Sequence, residues 1–275
     1  MSFSINEYPP IGNGGGTCKT LEDVKKFCQL SIPIIEIGSI TKKVRFGNEG
    51  DTFHAGNDFT LNSLGLPNGG MPYYEENLSE MTNLIRVAGK KSIVNIVGFE
   101  MQEYGDLTRF AFAKGADYVV NNYGCPNVWV NKGDQKDIVS HDFETLKQTT
   151  ISILAKNTLE GCQGRIGIKL SPLYPSDIAK VAEFLNTLAL VPLNNVPYVG
   201  FVTTTNTIPN CYEEEDGCSV ITPGEGLAGM AGPAVGPMAR GQIRQFRKLL
   251  DQRIHIVGVG GISTGEDVAK MLKCG

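Results

Sequence analysis

The segment VNNYGCPN (residues 120–127) sets two carboxamides, Asn122 and Asn127, on either side of a thiol, Cys125, with Pro126 restricting the turn between them. A carboxamide offers donors and an acceptor together, which suits the edge of a planar heterocycle carrying imide groups. A thiol of reference pKa about 8.5 can act as a base near neutral pH once modestly tuned. The same residues also read as a cysteine buried in a proline turn, and the segment by itself leaves both readings open. Lys169 closes the otherwise apolar run RIGIKLSP, where an unpaired ammonium is costly to bury. Gly260 and Gly261 follow another β-branched run in GVGGI, and Gly229 and Gly232 lie in the loop before it. Glycine lets backbone N–H groups approach oxygens closely, so these clusters read as a phosphate cradle.

Such residues need rigid elements to aim them. Short β-branched runs (PIIEIGSI, SIVNIVGF, DYVVNNYGC, RIGIKLSP, YVGFVTTTN and IHIVGVGGI) alternate with segments of helical period. The latter are LEDVKKFCQL, LSEMTNLIRVAG, DLTRFAFAKG, FETLKQTTISILAKN, PSDIAKVAEFLNTLA and PMARGQIRQFRKLL. Their apolar residues recur three and four apart, as an outer ring of helices requires. The alternation predicts an α/β fold, a (β/α)8 TIM barrel. Each run ends in residues too polar for a strand interior, namely Asn122 and Cys125, Lys169 and Ser171, Thr205 and Asn206, and Gly260 and Gly261. In such a barrel the C-terminal strand ends form the active-site face, so these residues are expected at one mouth. No linker composition divides residues 1–275, which read as a single domain. The chain stops at MLKCG, where a last strand and helix would follow IHIVGVGGI, so the C-terminal unit is expected to be missing.

Composition narrows the class of ligand. A formal charge of −4 without a basic run gives no footprint for nucleic acid or an anionic membrane, which favours a small molecule. Seven cysteines without C-x-x-C pairs point to free thiols in a reducing compartment, and they offer no metal or iron–sulfur site. MSFSINEYPP lacks a charged or apolar leader region, and no stretch of about 18 apolar residues occurs. A soluble, cytoplasmic protein is expected.

On these residues the chain resembles the dihydroorotate dehydrogenase family, flavin-dependent barrels that make orotate for pyrimidine synthesis. VNNYGCPN matches the N-x-x-C-P-N motif of the soluble, class 1 members, whereas membrane-associated class 2 members carry serine in place of the cysteine. GNGGG, EIGSITKKVRFGN, LNSLGLPNGG, IGIKLSP, TTTNT, GLAGMAGPAVGPMA and IVGVGGISTG extend the resemblance over nearly the whole chain. It implies that Cys125 is the base. It implies that Asn62, Leu64, Gly65, Leu66, Asn122, Asn127, Asn206 and Thr207 hold the substrate's ring and carboxylate. For FMN it implies Lys169 beside the flavin N1 and O2 edge, Gly260 and Gly261 with Gly229 and Gly232 at the phosphate, and Gly14, Gly15, Ser39, Asn95, Asn122 and Thr205 as further contacts. A homodimer is also implied.

Two positions depart from the class 1 pattern. Gly38 stands where class 1 members carry the lysine of a T-K-S sequence, while GGTCK puts Lys19 where class 2 members carry their substrate lysine. EIGSIT is likewise the class 2 form of the second strand. The expected activity is oxidation of dihydroorotate by FMN, Cys125 removing the C5 proton as hydride passes from C6 to flavin N5. A flavoprotein acting on another dihydropyrimidine, a sugar-phosphate isomerase or aldolase barrel, and a catalytically inactive binding barrel remain alternatives. Fumarate, NAD and a quinone remain open as oxidants.

Overall fold

The computed structural model describes residues 11–131, 134–157, 164–189 and 199–275. The MSFSINEYPP segment, and Tyr198 at the start of YVGFVTTTN, lie outside the described residues. Along the chain the strands are β1 (Ile34–Ile40), β2 (Phe53–Ala55), β3 (Thr60–Asn62), β4 (Lys91–Ile96), β5 (Tyr118–Asn122), β6 (Trp129–Asn131), β7 (Asp134–Gln135), β8 (Ile166–Leu170), β9 (Val199–Thr204), β10 (Ile208–Cys211), β11 (Glu214–Glu215), β12 (Cys218–Ser219), β13 (Ala228–Ala231) and β14 (His255–Gly258). The α-helices are α1 (Leu21–Cys28), α2 (Gly70–Val87), α3 (Met101–Ala113), α4 (Phe143–Lys156), α5 (Pro175–Ala189), α6 (Gly236–Leu249) and α7 (Gly265–Cys274).

The expected runs form one parallel sheet of six strands in the order β1-β4-β5-β8-β9-β14. A parallel bridge from Gly12 to Ile34 extends it beyond β1. Strands β8 and β9 are buried at every position, because one face lines the barrel and the other meets helices. Helix α2 turns Tyr74, Leu78, Met81 and Ile85 inward, and α6 turns Ala239, Ile243 and Phe246 inward, spacings of three and four that make one face. Burying each such large side chain contributes about 1.5–3 kcal/mol. Capping boxes close α1 and α7, with Thr20 bonded to Asp23 and Thr264 to Asp267.

Helix boundaries moved in two places. Helix α2 begins at Gly70, well before LSEMTNLIRVAG, because Pro72 sits in its first turn, where a missing N–H costs nothing. Helix α3 begins at Met101 and runs through Gly105, whose bare Cα receives the Lys156 side chain from α4. Helix α7 was not among the expected helices. It follows β14, and the described residues hold no strand after β14.

A second, antiparallel sheet of four strands, ordered β10-β13-β3-β2, was also not foreseen. Its members are too short for alternation to register. Its register sets Asn62 opposite Gly229.

Candidate active site

The strand ends do converge. Gln242 of α6 donates to the Ser171 carbonyl after β8 (2.9 Å) and to Thr204 Oγ1 at the end of β9 (2.7 Å). Ser171 Oγ donates to the Gly124 carbonyl after β5 (3.2 Å), the Asn206 N–H to Leu170, and the Thr205 N–H to Val259 after β14. Backbone and side chain thus lock four adjacent strand ends into one rim.

On that rim the amides form two pairs. Asn206 Nδ2 donates to Asn122 Oδ1 (3.0 Å), which also accepts from the Gly124 N–H (3.1 Å). Asn127 Nδ2 donates to Asn62 Oδ1 (2.7 Å), and Asn62 Nδ2 donates to the Gly229 carbonyl (3.2 Å). Asn127 Oδ1 and Thr207 Oγ1 are buried without a partner among the described residues. Buried polar atoms left open in this way are exceptions in folded proteins. A Cβ on Gly229 would strike Thr207 Oγ1 and lie 3.1 Å from Asn127 Nδ2. Gly229 therefore sits beside the amides of Asn62 and Asn127.

Cys125 follows β5, half-buried, in a small pocket shared with Val97, Tyr104, Val128, Lys136 and Ile138. Burial pushes its thiol up, while the Asn127 backbone N–H and the charges of Lys136, Lys169 and Arg45 pull it back. Lys136 and Arg45 were not singled out from the sequence. Gln135 donates to the Pro126 carbonyl and the Lys136 N–H to Val128 (2.7 Å), which staples this loop beside the thiol. Lys136 Nζ and the Arg45 guanidinium stand 5.3 Å and 4.6 Å from the Phe99 ring centre. No pattern around Lys136 marks it in the sequence, since the loop's fold alone returns it to Cys125.

Leu64, Gly65 and Leu66 form a bend held by Asn48, whose N–H donates to the Leu64 carbonyl (3.0 Å), and by Arg45 Nε, which donates to the Gly65 carbonyl (2.9 Å). Leu66 has φ of 61°, a left-handed conformation unusual for leucine. Consecutive amide N–H groups in such bends form concavities suited to anions.

Deeper in the barrel a second group gathers around Gly15. A Cβ there would lie 3.0 Å from both Asn95 Nδ2 and Lys169 Nζ and still closer to Glu36 Oε1, so only glycine fits. Ser39 Oγ donates to Asn95 Oδ1 (2.7 Å) and Asn95 Nδ2 to Glu36 Oε1 (2.6 Å). Glu36, Asn95 and Lys169 are all buried, and the Lys169 ammonium makes no hydrogen bond or ion pair among the described residues. Glu36 was overlooked, although an acidic residue inside the apolar run PIIEIGSI is the same signal that marked Lys169. Gly14 is exposed and faces open space.

Gly260 and Gly261, with φ of 105° and 70°, turn the chain against the start of α6, where a Cβ on Gly261 would collide with Gly236. Thr205, beside Gly260, has a buried Oγ1 without a partner among the described residues. The Arg240 guanidinium, unforeseen from sequence, lies over Gly236, its Nη1 2.9 Å from a Cβ position there. Gly232, φ of 94°, packs instead on Asp58 and Phe59.

Lys19 is held through its backbone at the start of α1. It immediately precedes the α1 cap, its N–H donating to Asp23 (2.9 Å) and its carbonyl accepting from Tyr74 (2.8 Å). Burial lowers its ammonium pKa, with Asp23 opposing.

A parallel β/α barrel whose strand ends carry a thiol, paired amides and an unpartnered ammonium defines a class, the TIM-barrel oxidoreductases. Comparison with known proteins gives the family. Residues 3–275 match the family described as dihydroorotate dehydrogenase, and the chain belongs to it. The family's enzymes are flavin-dependent and act on CH–CH bonds. A dihydroorotate dehydrogenase A (fumarate) of Streptococcus pyogenes serotype M3 is 29% identical over 95% of this chain and 78% of the relative. One of serotype M5 is 30% identical over 86% of this chain and 70% of the relative. The crystal structure of DHODH in complex with ferulenol from Eimeria tenella superposes with a TM-score of 0.76 at 19% identity, over 97% of this chain and 73% of that one, a likeness of fold. No helix among the described residues is long and apolar enough to cross a membrane.

Proposed function

We propose that this chain, as one barrel domain, oxidises dihydroorotate to orotate with FMN as its cofactor. The observation that carries the reading is the two amide pairs on the rim that Cys125 shares, with Asn127 Oδ1 and Thr207 Oγ1 buried without a partner among the described residues. Dihydroorotate carries imide edges for those amides and a carboxylate for the bend at Leu64, Gly65 and Leu66.

The residues fit FMN. Gly15 clears a face beside the unpartnered Lys169 ammonium, and the open Thr205 hydroxyl, the Gly260–Gly261 turn and Arg240 together suit a phosphate. Asn95, Ser39 and Asn122 add polar contacts, with Gly14 at the open side. The bound flavin supplies a hydride acceptor for C6. The chain's own work is to hold the ring flat on the amides and to take the C5 proton on Cys125 Sγ. Loss of that proton and that hydride leaves the C5–C6 double bond of orotate. Alignment by rigid strand ends supplies much of the rate. Lys136 and Arg45 favour the thiolate, and Lys19 is the cation this reading takes for the substrate in place of a lysine at Gly38. Fumarate, named for the streptococcal relatives, is the oxidant this reading takes.

The test is the visible spectrum before and after anaerobic addition of dihydroorotate. Flavin bands that bleach, then return with fumarate, are expected. Bands that persist would refute the substrate, and absence of bands would refute the cofactor. Cys125→Ala should keep the bands and slow bleaching about 100-fold or more at neutral pH.

A further inference from the structure

We propose that Glu36 is a positioning residue that fixes the Asn95 amide and counterbalances the Lys169 ammonium, and so sets the electron affinity of the flavin held above Gly15. The inference rests on the FMN reading above.

The orientation argument comes first. Glu36 and Asn95 are 5% and 0% exposed, on the neighbouring strands β1 and β4. A carboxylate only accepts, so Asn95 must turn its Nδ2 to Glu36 Oε1 (2.6 Å), which leaves its Oδ1 to accept from Ser39 (2.7 Å). The amide is thereby fixed in one of its two flips. Glu36 is itself clamped, its N–H donating to Asn13 Oδ1 (2.8 Å) and its carbonyl accepting from Asn13 Nδ2 (2.9 Å). Asn13 belongs to the same loop as Gly15, so these bonds tie that loop to the Glu36 backbone.

The charge argument follows. Glu36 Oε1 and Lys169 Nζ both approach the point where a Gly15 Cβ would stand, yet they form no ion pair. Two buried opposite charges kept near but apart leave the ammonium free to meet a ligand while the carboxylate reduces the net positive field there. Reduced flavin and the flavin–sulfite adduct both place negative charge on the ring. A weaker positive field disfavours both.

Glu36→Gln keeps the accepting oxygen and the volume but removes the charge. Spectroelectrochemistry and sulfite titration of the FMN-loaded protein should show a more positive flavin potential and sulfite binding about tenfold tighter than wild type. Glu36→Asp, which keeps the charge but sets it back, should fall between wild type and Glu36→Gln. A purely structural role would change FMN retention and leave both readouts where they are, which would overturn the proposal. Should Glu36→Gln not retain flavin, Glu36→Asp carries the test. Its carboxylate is set back by one methylene, so a small shift toward tighter sulfite binding is expected, and none would overturn the proposal. A wild-type protein without flavin would overturn the FMN reading and this inference with it, whereas flavin bound with an indifferent Glu36→Gln variant would overturn this inference alone.

Discussion

At the scale of single residues the site is governed by where charge is left uncompensated. Cys125 is opposed by burial and favoured by Lys136, Lys169 and Arg45, with the Asn127 N–H adding to them. Tyr104, which lines the same pocket, is raised by burial, then by Tyr123 and by charge on Cys125. Lys136 has its own ammonium lowered by burial and by Arg45, with Cys125, Asp137 and Glu103 raising it. Replacing Lys136 by methionine should therefore move the Cys125 titration to higher pH. The alkaline rise in anaerobic flavin bleaching, or in iodoacetamide alkylation of the flavin-loaded protein, should shift upward. An unchanged profile would remove Lys136 from the account.

At the scale of elements, one helix holds the rim together. Helix α6 carries both Gln242, which ties β8 to β9, and the Gly236 backbone against which Gly261 turns. Helix α7 packs Met271 into the Val235, Ala239 and Ile243 cluster and so backs α6 from outside. Its capping box makes a defined target. Thr264→Ala should cost about 1 kcal/mol, readable as a lower urea midpoint and faster hydrogen exchange of the first α7 amides. Exchange unchanged in α7 would mean that tertiary packing alone holds it. The four-stranded sheet has a comparable task, because β3 and β13 bring Asn62 and Gly229 to the amides of another loop.

For the molecule as a whole, groups buried in the neutral form dominate the alkaline limit. Burial pushes the Cys18 thiol up to about 12 and raises Tyr74, Tyr104 and Tyr123 above the ordinary phenol range. A folded pKa above the unfolded one means that the native state binds the proton more tightly. Stability is then full below about pH 9 and falls as pH climbs toward the folded values. Urea midpoints measured at pH 7, 9 and 10.5 should decline only over the last interval, and Cys18→Ala should flatten part of that decline. A midpoint constant to pH 10.5 would contradict these burials.

What the sequence determined by itself was local or periodic. The parallel strands, most helices, the polar strand ends and the motif around Cys125 were legible because side-chain period and turn chemistry act over a few residues. So was the family, through motifs kept in order along the chain. The tertiary structure decided which isolated residues meet. Lys136 and Arg240 lie in no motif, and Glu36 and Arg45 lie in EIGSITKKVRFGN without a sign there of their partners; all four join the site because a barrel brings strand ends and loops distant in sequence to one mouth. It also set Gly229 opposite Asn62, beside the Asn127 amide. Spacing along a chain fixes which face of an element a residue occupies, whereas the distance between elements is set by packing, and charge–charge chemistry depends on that distance.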